Sequence, residues 1–163
     1  MQINKIIGAL EGLIKDPAKG LPEEVFLFAS RIVPLINVDL LIKNNKRTLM
    51  TWRDDGIVPY GWHIPGGMIR YRETFSDRIK AVAELELGAK VKHGDTPIAI
   101  YESIYPALKN RSHGISLLFE CSLISPPAIK LKSKGVPKKG QWAWHKKCPQ
   151  KIVFGQEMYR KYI

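Results

Sequence analysis

The sequence predicts an α/β fold built as one compact domain, and three observations carry that prediction. With 163 residues, 45% of them hydrophobic, the chain can bury one substantial core and has no need of a second. Apolar runs of strand length recur at residues 33–42, 47–52, 62–64, 98–105 and 115–122. Around them lie stretches whose apolar residues repeat at helical spacing, over residues 3–15, 21–28 and 75–87.

Taken in order, residues 3–15 place Ile6, Ile7, Leu10, Leu13 and Ile14 on one stripe of an amphipathic helix that ends before Pro17. This helix opens an N-terminal helical extension of about residues 1–30 to a domain spanning 1–163, and its apolar face could pack on that domain or on a second subunit. Leu21-Pro22-Glu23-Glu24 starts a short second helix that runs through Phe28, with two carboxylates where the helix dipole favours negative charge. Residues 33–42 read as a strand buried on both faces, with Asp39 in its interior and in need of a partner. Asn44-Asn45-Lys46 makes a turn, and residues 47–52 return as a second strand that delivers Arg53, Asp54 and Asp55 to a loop.

Trp62-His63-Ile64 is then a short strand entering a Pro65-Gly66-Gly67 turn. Thr74 with Asp77 forms a variant of the capping box, and Phe75, Ile79 and Val82 give the next helix an apolar stripe that Glu86 continues. Gly88 ends that helix as a C-cap. Two further strands are joined by a polar loop holding Lys109, Arg111 and His113. After Ser125-Pro126-Pro127 a lysine-rich segment crosses the surface as a loop, followed by a last strand at residues 141–144 and a terminal helix at 156–163.

Lys and Arg outnumber Asp and Glu by 26 to 15, a net charge of +11 that favours anionic partners such as nucleotides, nucleic acid or acidic lipid. The late cluster of Lys130, Lys132, Lys134, Lys138 and Lys139 contains no aromatic residue, so it reads as a solvated basic edge and nucleic acid is disfavoured. Two cysteines, Cys121 and Cys148, are too few for a disulfide framework and too far apart for a CxxC metal site, which fits a reducing compartment. The N-terminal residues lack the features of a signal peptide and no run approaches 18 apolar residues, so the expectation is a cytoplasmic protein with no membrane partner.

The glycine pair, the arginines Arg70 and Arg72 and the carboxylate-bearing helix together have the layout of a phosphate and metal site. Gly67, five residues, Glu73 and then a helix closing on Glu86-Leu87-Gly88 resemble the box of the Nudix family, whose pattern is G, five residues, E, seven residues, then R-E-U-x-E-E-x-G-U with U apolar. The box arginine is Ala81 here, and two of its three helix carboxylates are Val82 and Leu85. The resemblance implies a Nudix-type α/β/α sandwich with a mixed central sheet, a diphosphate substrate and Mg²⁺, with Mn²⁺ as the alternative. Carboxylates at i, i+3 and i+4 of a helix supply oxygens to such a hard ion from one face, and here that face keeps only Glu86. Glu84 lies roughly 200° around the helix from Glu86 and is no substitute.

Pro34 to Ile42, Trp52-Arg53, the run from Trp62 to Gly67 and Glu86-Leu87-Gly88 further resemble the GDP-mannose mannosyl hydrolases, over about residues 35–123. That resemblance implies cleavage at the sugar carbon with inversion, releasing GDP and mannose, by a homodimer. It makes Glu86 and the Gly66 carbonyl metal ligands, puts Arg53 on the departing diphosphate, and gives Asp39 and His113 supporting roles in catalysis. Arg53, Arg70 and Arg72 are the expected substrate-binding residues, and Gly67, Glu73 and Gly88 the structural ones, with Arg78 or Lys80 replacing the missing partner of Glu73. The branch's Gln ligand and general-base His fall at Lys138 and Lys139, and its Arg after the glycines is Met68. Gln141 stands as an alternative ligand and His145 or His63 as an alternative base, which leaves the base unassigned. The expected function is a Mg²⁺-dependent hydrolase of a nucleoside diphosphate sugar such as GDP-mannose. The alternative is a catalytically impaired Nudix domain that binds a nucleotide or nucleotide sugar as a sensor.

Overall fold

Ten consecutive residues, Leu35–Asn44, form β1, the strand on which the others are assembled in a computed structural model that describes residues 2–56 and 59–163. Ahead of it lie α1 (Ile3–Gly12) and α2 (Glu23–Ala29). After it come β2 (Arg47–Arg53), β3 (Gly61–His63), β4 (Gly66–Met68), α3 (Phe75–Leu87), β5 (Val91–His93), β6 (Ala99–Ile104), β7 (His113–Leu123) and β8 (Trp142–His145). The chain closes on a 3₁₀ turn at Glu157–Tyr162.

β1 runs parallel to β7 from Leu35 opposite Gly114 to Ile42 opposite Cys121, and antiparallel to β4 on its other side. At its far end Lys43 and Asn44 pair with β2 through a two-residue turn in which Asn45 and Lys46 both hold positive φ, as a tight hairpin matched to strand twist requires. β2 carries β3 and β8, while β7 carries β6 and β5. One parallel pair among antiparallel ones makes the sheet mixed, the expected α/β architecture.

Side chains alternate across β1. Val38, Leu40 and Ile42 pack with Leu117 and Phe119 of β7 against Ile79, Val82, Ala83 and Leu87 of α3. Leu41 and Leu118 point the other way, beneath Tyr159 and Met158 of the terminal 3₁₀ turn. The sheet is thus the middle of three layers, and Asp39 stands on the Tyr159 side.

Several local expectations are corrected. Pro65-Gly66-Gly67 is not a turn, because Gly66 and Gly67 open β4: Val38 faces Gly67 and Asp39 faces Gly66 across the β1–β4 pair. Its glycines serve close approach. A Cβ on Gly67 would stand 2.8 Å from Val82 Cγ2, and one on Gly66 would run into the Asp39 carboxylate. β5 had no sequence signal, being only three residues long. The first helix stops at Gly12, and none of its residues is buried. Both ends of α3 are as expected, with Thr74 Oγ1 accepting the Asp77 N–H and Gly88 in the left-handed region at φ 58°. No helix among the described residues is long and apolar enough to cross a membrane.

Candidate active site

Three elements meet at Glu86. α3 carries it two residues ahead of the C-cap Gly88, where it leaves the apolar stripe and reaches the first residue of β4. Its Oε1 accepts the Gly66 N–H at 3.1 Å and its Oε2 accepts the Thr51 hydroxyl at 2.6 Å. Thr51 and His63 are register partners on β2 and β3, so the Thr51 Oγ1 also lies 2.9 Å from His63 Nε2. That nitrogen is 3.6 Å from Glu86 Oε2, and Nδ1 of the same ring lies 2.9 Å from the Ile64 carbonyl oxygen. Burial lowers the His63 pKa, and the Glu86 carboxylate pulls it back up in part.

Asp39 is delivered by the opposite face of β1. Tyr159 donates its hydroxyl to Asp39 Oδ2 at 2.6 Å. Burial pushes the Asp39 carboxyl up to about 6, against the lowering effect of the Tyr159 and Ser116 hydroxyls, and the nearby Glu86 charge raises it further. Leu40 N–H bonds to the Pro65 carbonyl and Ile69 N–H to Ile36, which leaves Asp39 and Gly66 as a pair without mutual ladder bonds. The Gly66 carbonyl is therefore not consumed by β1.

Asp39, Gly66, Gly67, Glu86, Arg53 and His113 all line one cavity of about 990 Å³. Arg53 is held by Asp55 at 2.6 Å, and His113 Nε2 lies 3.2 Å from Glu102 Oε1. Arg70 and Arg72 are not brought there: both are exposed on the turn after β4, with Arg72 over the Tyr71 ring, and neither forms part of the cavity wall. Glu73 accepts the Arg70 N–H and pairs with Arg78 at 2.7 Å, so Arg78 rather than Lys80 takes the place of the absent box arginine. Lys139 lines the cavity, whereas Gln141 is engaged by the Lys138 N–H at 3.0 Å. Of the two alternative bases, His63 lines the cavity and His145 does not, its ring instead meeting Trp62 edge-on at 4.4 Å.

Two residues of the site had not been singled out from sequence. Tyr159 is 120 positions from Asp39, and no local pattern marks it as a partner. Thr51 is recognisable only once the β2–β3 register is known, because that register sets it beside His63.

The donor set at Glu86 and Gly66 fits a hard cation only in part. One carboxylate and one backbone carbonyl are the oxygens on offer, and among the described residues no three His, Cys, Asp or Glu side chains converge as a metal cluster. Mg²⁺ commonly takes one or two carboxylates and completes its shell with substrate phosphates and water, so the pair suits an ion that arrives on a diphosphate.

No protein-family model matches the chain. The low-salt glycan biosynthesis protein Agl8 of Haloferax volcanii is 27% identical over 111 residues, covering 66% of this chain and 70% of that protein. Among solved structures, a MutT Nudix hydrolase from Burkholderia pseudomallei superposes with a TM-score of 0.62 at 17% identity, over 80% of this chain and 98% of its own. A Nudix hydrolase from Nitrosomonas europaea gives 0.55 at 16% identity over 69% and 72%, and a UDP-X diphosphatase 0.52 at 15% over 87% and 78%. The chain has the Nudix fold.

Proposed function

We propose that this chain hydrolyses a small nucleoside diphosphate derivative, with a GDP-mannose-like nucleotide sugar as the leading candidate. The observation that carries the reading is the placement of Glu86, Gly66, Asp39, Arg53 and His113 on the wall of one cavity. The Nudix hydrolases and the diphosphatase that share the fold, and the glycan-related relative, support the same class of substrate.

Glu86 and the Gly66 carbonyl would hold Mg²⁺ brought with the diphosphate, where the cation would offset charge on the leaving group. The chain's own residues do the rest. Arg53, its guanidinium fixed by Asp55, faces the cavity as a clamp for phosphate oxygens. Asp39, with its carboxyl raised to about 6, is a base matched to near-neutral pH and takes the proton of the attacking water. The water oxygen bonds to the sugar carbon as the bond from that carbon to the diphosphate oxygen breaks, and His113 donates to the departing diphosphate.

The test is incubation with GDP-mannose and a panel of nucleotide sugars plus Mg²⁺. Turnover that falls at least 100-fold in Glu86→Gln is expected, and no turnover above that variant across the panel would sink the proposal. A second reading, a nucleotide-binding domain without turnover, is favoured by one observation: both Glu86 oxygens already accept protein hydrogen bonds. Calorimetry separates the two, since binding that persists in EDTA without hydrolysis supports the sensor.

A further inference from the structure

Gly114 has no backbone or packing reason to be a glycine. Its φ is not positive, and a Cβ there would meet only ordinary contacts, 3.8 Å from Asn37 Nδ2 and 3.8 Å from the Leu35 carbonyl oxygen. What the missing side chain does is leave a bare strip in the cavity wall. The registers fix what borders that strip. Gly114 lies between Leu35 of β1 and Ser103 of β6, and Ser116, two residues further along β7, is opposite Asn37. Residues two apart on a strand share a face, so Asn37 and Asp39 stand on one face of β1 with their Cα atoms about 7 Å apart. Asn37, Asp39, Ser103, Gly114 and Ser116 all line the cavity. Ser116 already bonds toward Asp39 and Tyr159. Among the described residues the Asn37 amide and the Ser103 hydroxyl have no hydrogen-bond partner, and both residues are half-buried.

We propose that this strip is a sugar subsite, on which Asn37 and Ser103 select a neutral pyranose by hydrogen bonds to its hydroxyls; this rests on the nucleotide-sugar hydrolysis proposed above. From β1 to β6 the strip is two strand spacings across, about 10 Å, which admits a pyranose ring laid over Gly114. A sugar hydroxyl is donor and acceptor at once, and an amide and a serine side chain answer it in both senses. Apart from Asp39 the strip carries no charge. A uronic acid or a further phosphate would therefore lie beside a carboxylate with no cation of the strip to pair it. The rings suited to stack a nucleobase come from elsewhere: Phe26 from α2, Trp52 from β2 and Phe154 from the segment before the terminal 3₁₀ turn, all on the cavity wall. With the sugar carbon in front of Asp39, the spacing along β1 sets Asn37 beside a hydroxyl on the far side of the ring.

The test compares nucleotides that differ only in the sugar. GDP-mannose and GDP-glucose, UDP-glucose and UDP-galactose, and sugar-free GDP and UDP are offered to the full chain with Mg²⁺, and both turnover and calorimetric affinity are measured. Asn37→Ala and Ser103→Ala should each lower kcat/KM for the preferred sugar roughly 10- to 100-fold and narrow its lead over the epimer. Affinity for the sugar-free diphosphate should stay unchanged, which also shows that each variant folds. Gly114→Val, whose Cβ has room, should lose both sugars of a pair together and still bind the diphosphate. Where the parent chain binds without turnover, the same ratios are read from the dissociation constants. Parent-like discrimination in all three variants would overturn the subsite and leave the proposed function standing. A parent chain that neither binds nor cleaves any of the nucleotide sugars would overturn the proposed function, and the subsite with it.

Discussion

Tyr159 and Asp39 are 120 residues apart in sequence and 2.6 Å apart in the fold, a contact that ties the last turn of the chain to the middle of its first strand. The bond does two things. It gives a carboxyl buried between sheet and terminal turn a donor, and it anchors the 3₁₀ segment that covers Leu41 and Leu118.

Removing the hydroxyl alone, in Tyr159→Phe, keeps the ring and its packing on Tyr101 but leaves Asp39 one donor short. The expected cost is about 1–3 kcal/mol in urea unfolding, larger at pH 8 than at pH 5 because the ionised carboxylate needs the donor more. An equal cost at both pH values would show that Asp39 does not feel the loss as a charge.

Asp39 itself should tilt the stability curve. Its folded pKa of about 6 lies above the ordinary 3.8, so between pH 4 and 6 the folded chain holds the proton more firmly than the unfolded chain. Stability from this group is therefore present below pH 4 and is lost as pH rises through 6, by up to about 3 kcal/mol at about 1.36 kcal/mol per unit. Asp39→Asn, whose amide oxygen can still accept from Tyr159, should flatten that decline and be the more stable protein at pH 7.5. A parent-like pH slope in the variant would place the titrating group elsewhere.

The glycine pair is a packing device, and a double-mutant cycle can show it. Gly67→Ala brings a Cβ to within 2.8 Å of Val82 Cγ2 and should cost about 1–3 kcal/mol. Val82→Ala opens that space, so the double variant should recover part of the loss and the two effects should not add. Strict additivity would mean that α3 and β4 adjust without the side chain.

The identity of Arg78 as the partner of Glu73 illustrates where reading the sequence stops. Spacing along one helix narrows the choice to Arg78 or Lys80, since both lie within reach of a loop ahead of α3. Only the fold buries Arg78 between Glu73 and the sheet while Lys80 turns to solvent. Arg70 and Arg72 show the converse. Their place after two glycines suggests anion binding, yet the extended course of β4 carries them past the cavity.

What the sequence determined by itself is local and periodic: the α/β class, the long buried strand with Asp39 inside it, the hairpin after it, the caps of α3 and the frame from Gly67 through Glu73 and Glu86 to Gly88. The class, the strand, the hairpin and the caps follow from apolar spacing and backbone preference within a few residues, and the frame from its resemblance to the Nudix box, none of which needs a tertiary partner. What tertiary structure decided is register and closure. The extended Gly66–Gly67 segment exists because β1 and Val82 leave no room for a Cβ, and Thr51 joins Glu86 because β2 and β3 align it there. Tyr159 reaches Asp39 because the terminal turn crosses the sheet. Contacts of that span depend on how layers pack, and no periodicity in a single sequence encodes them.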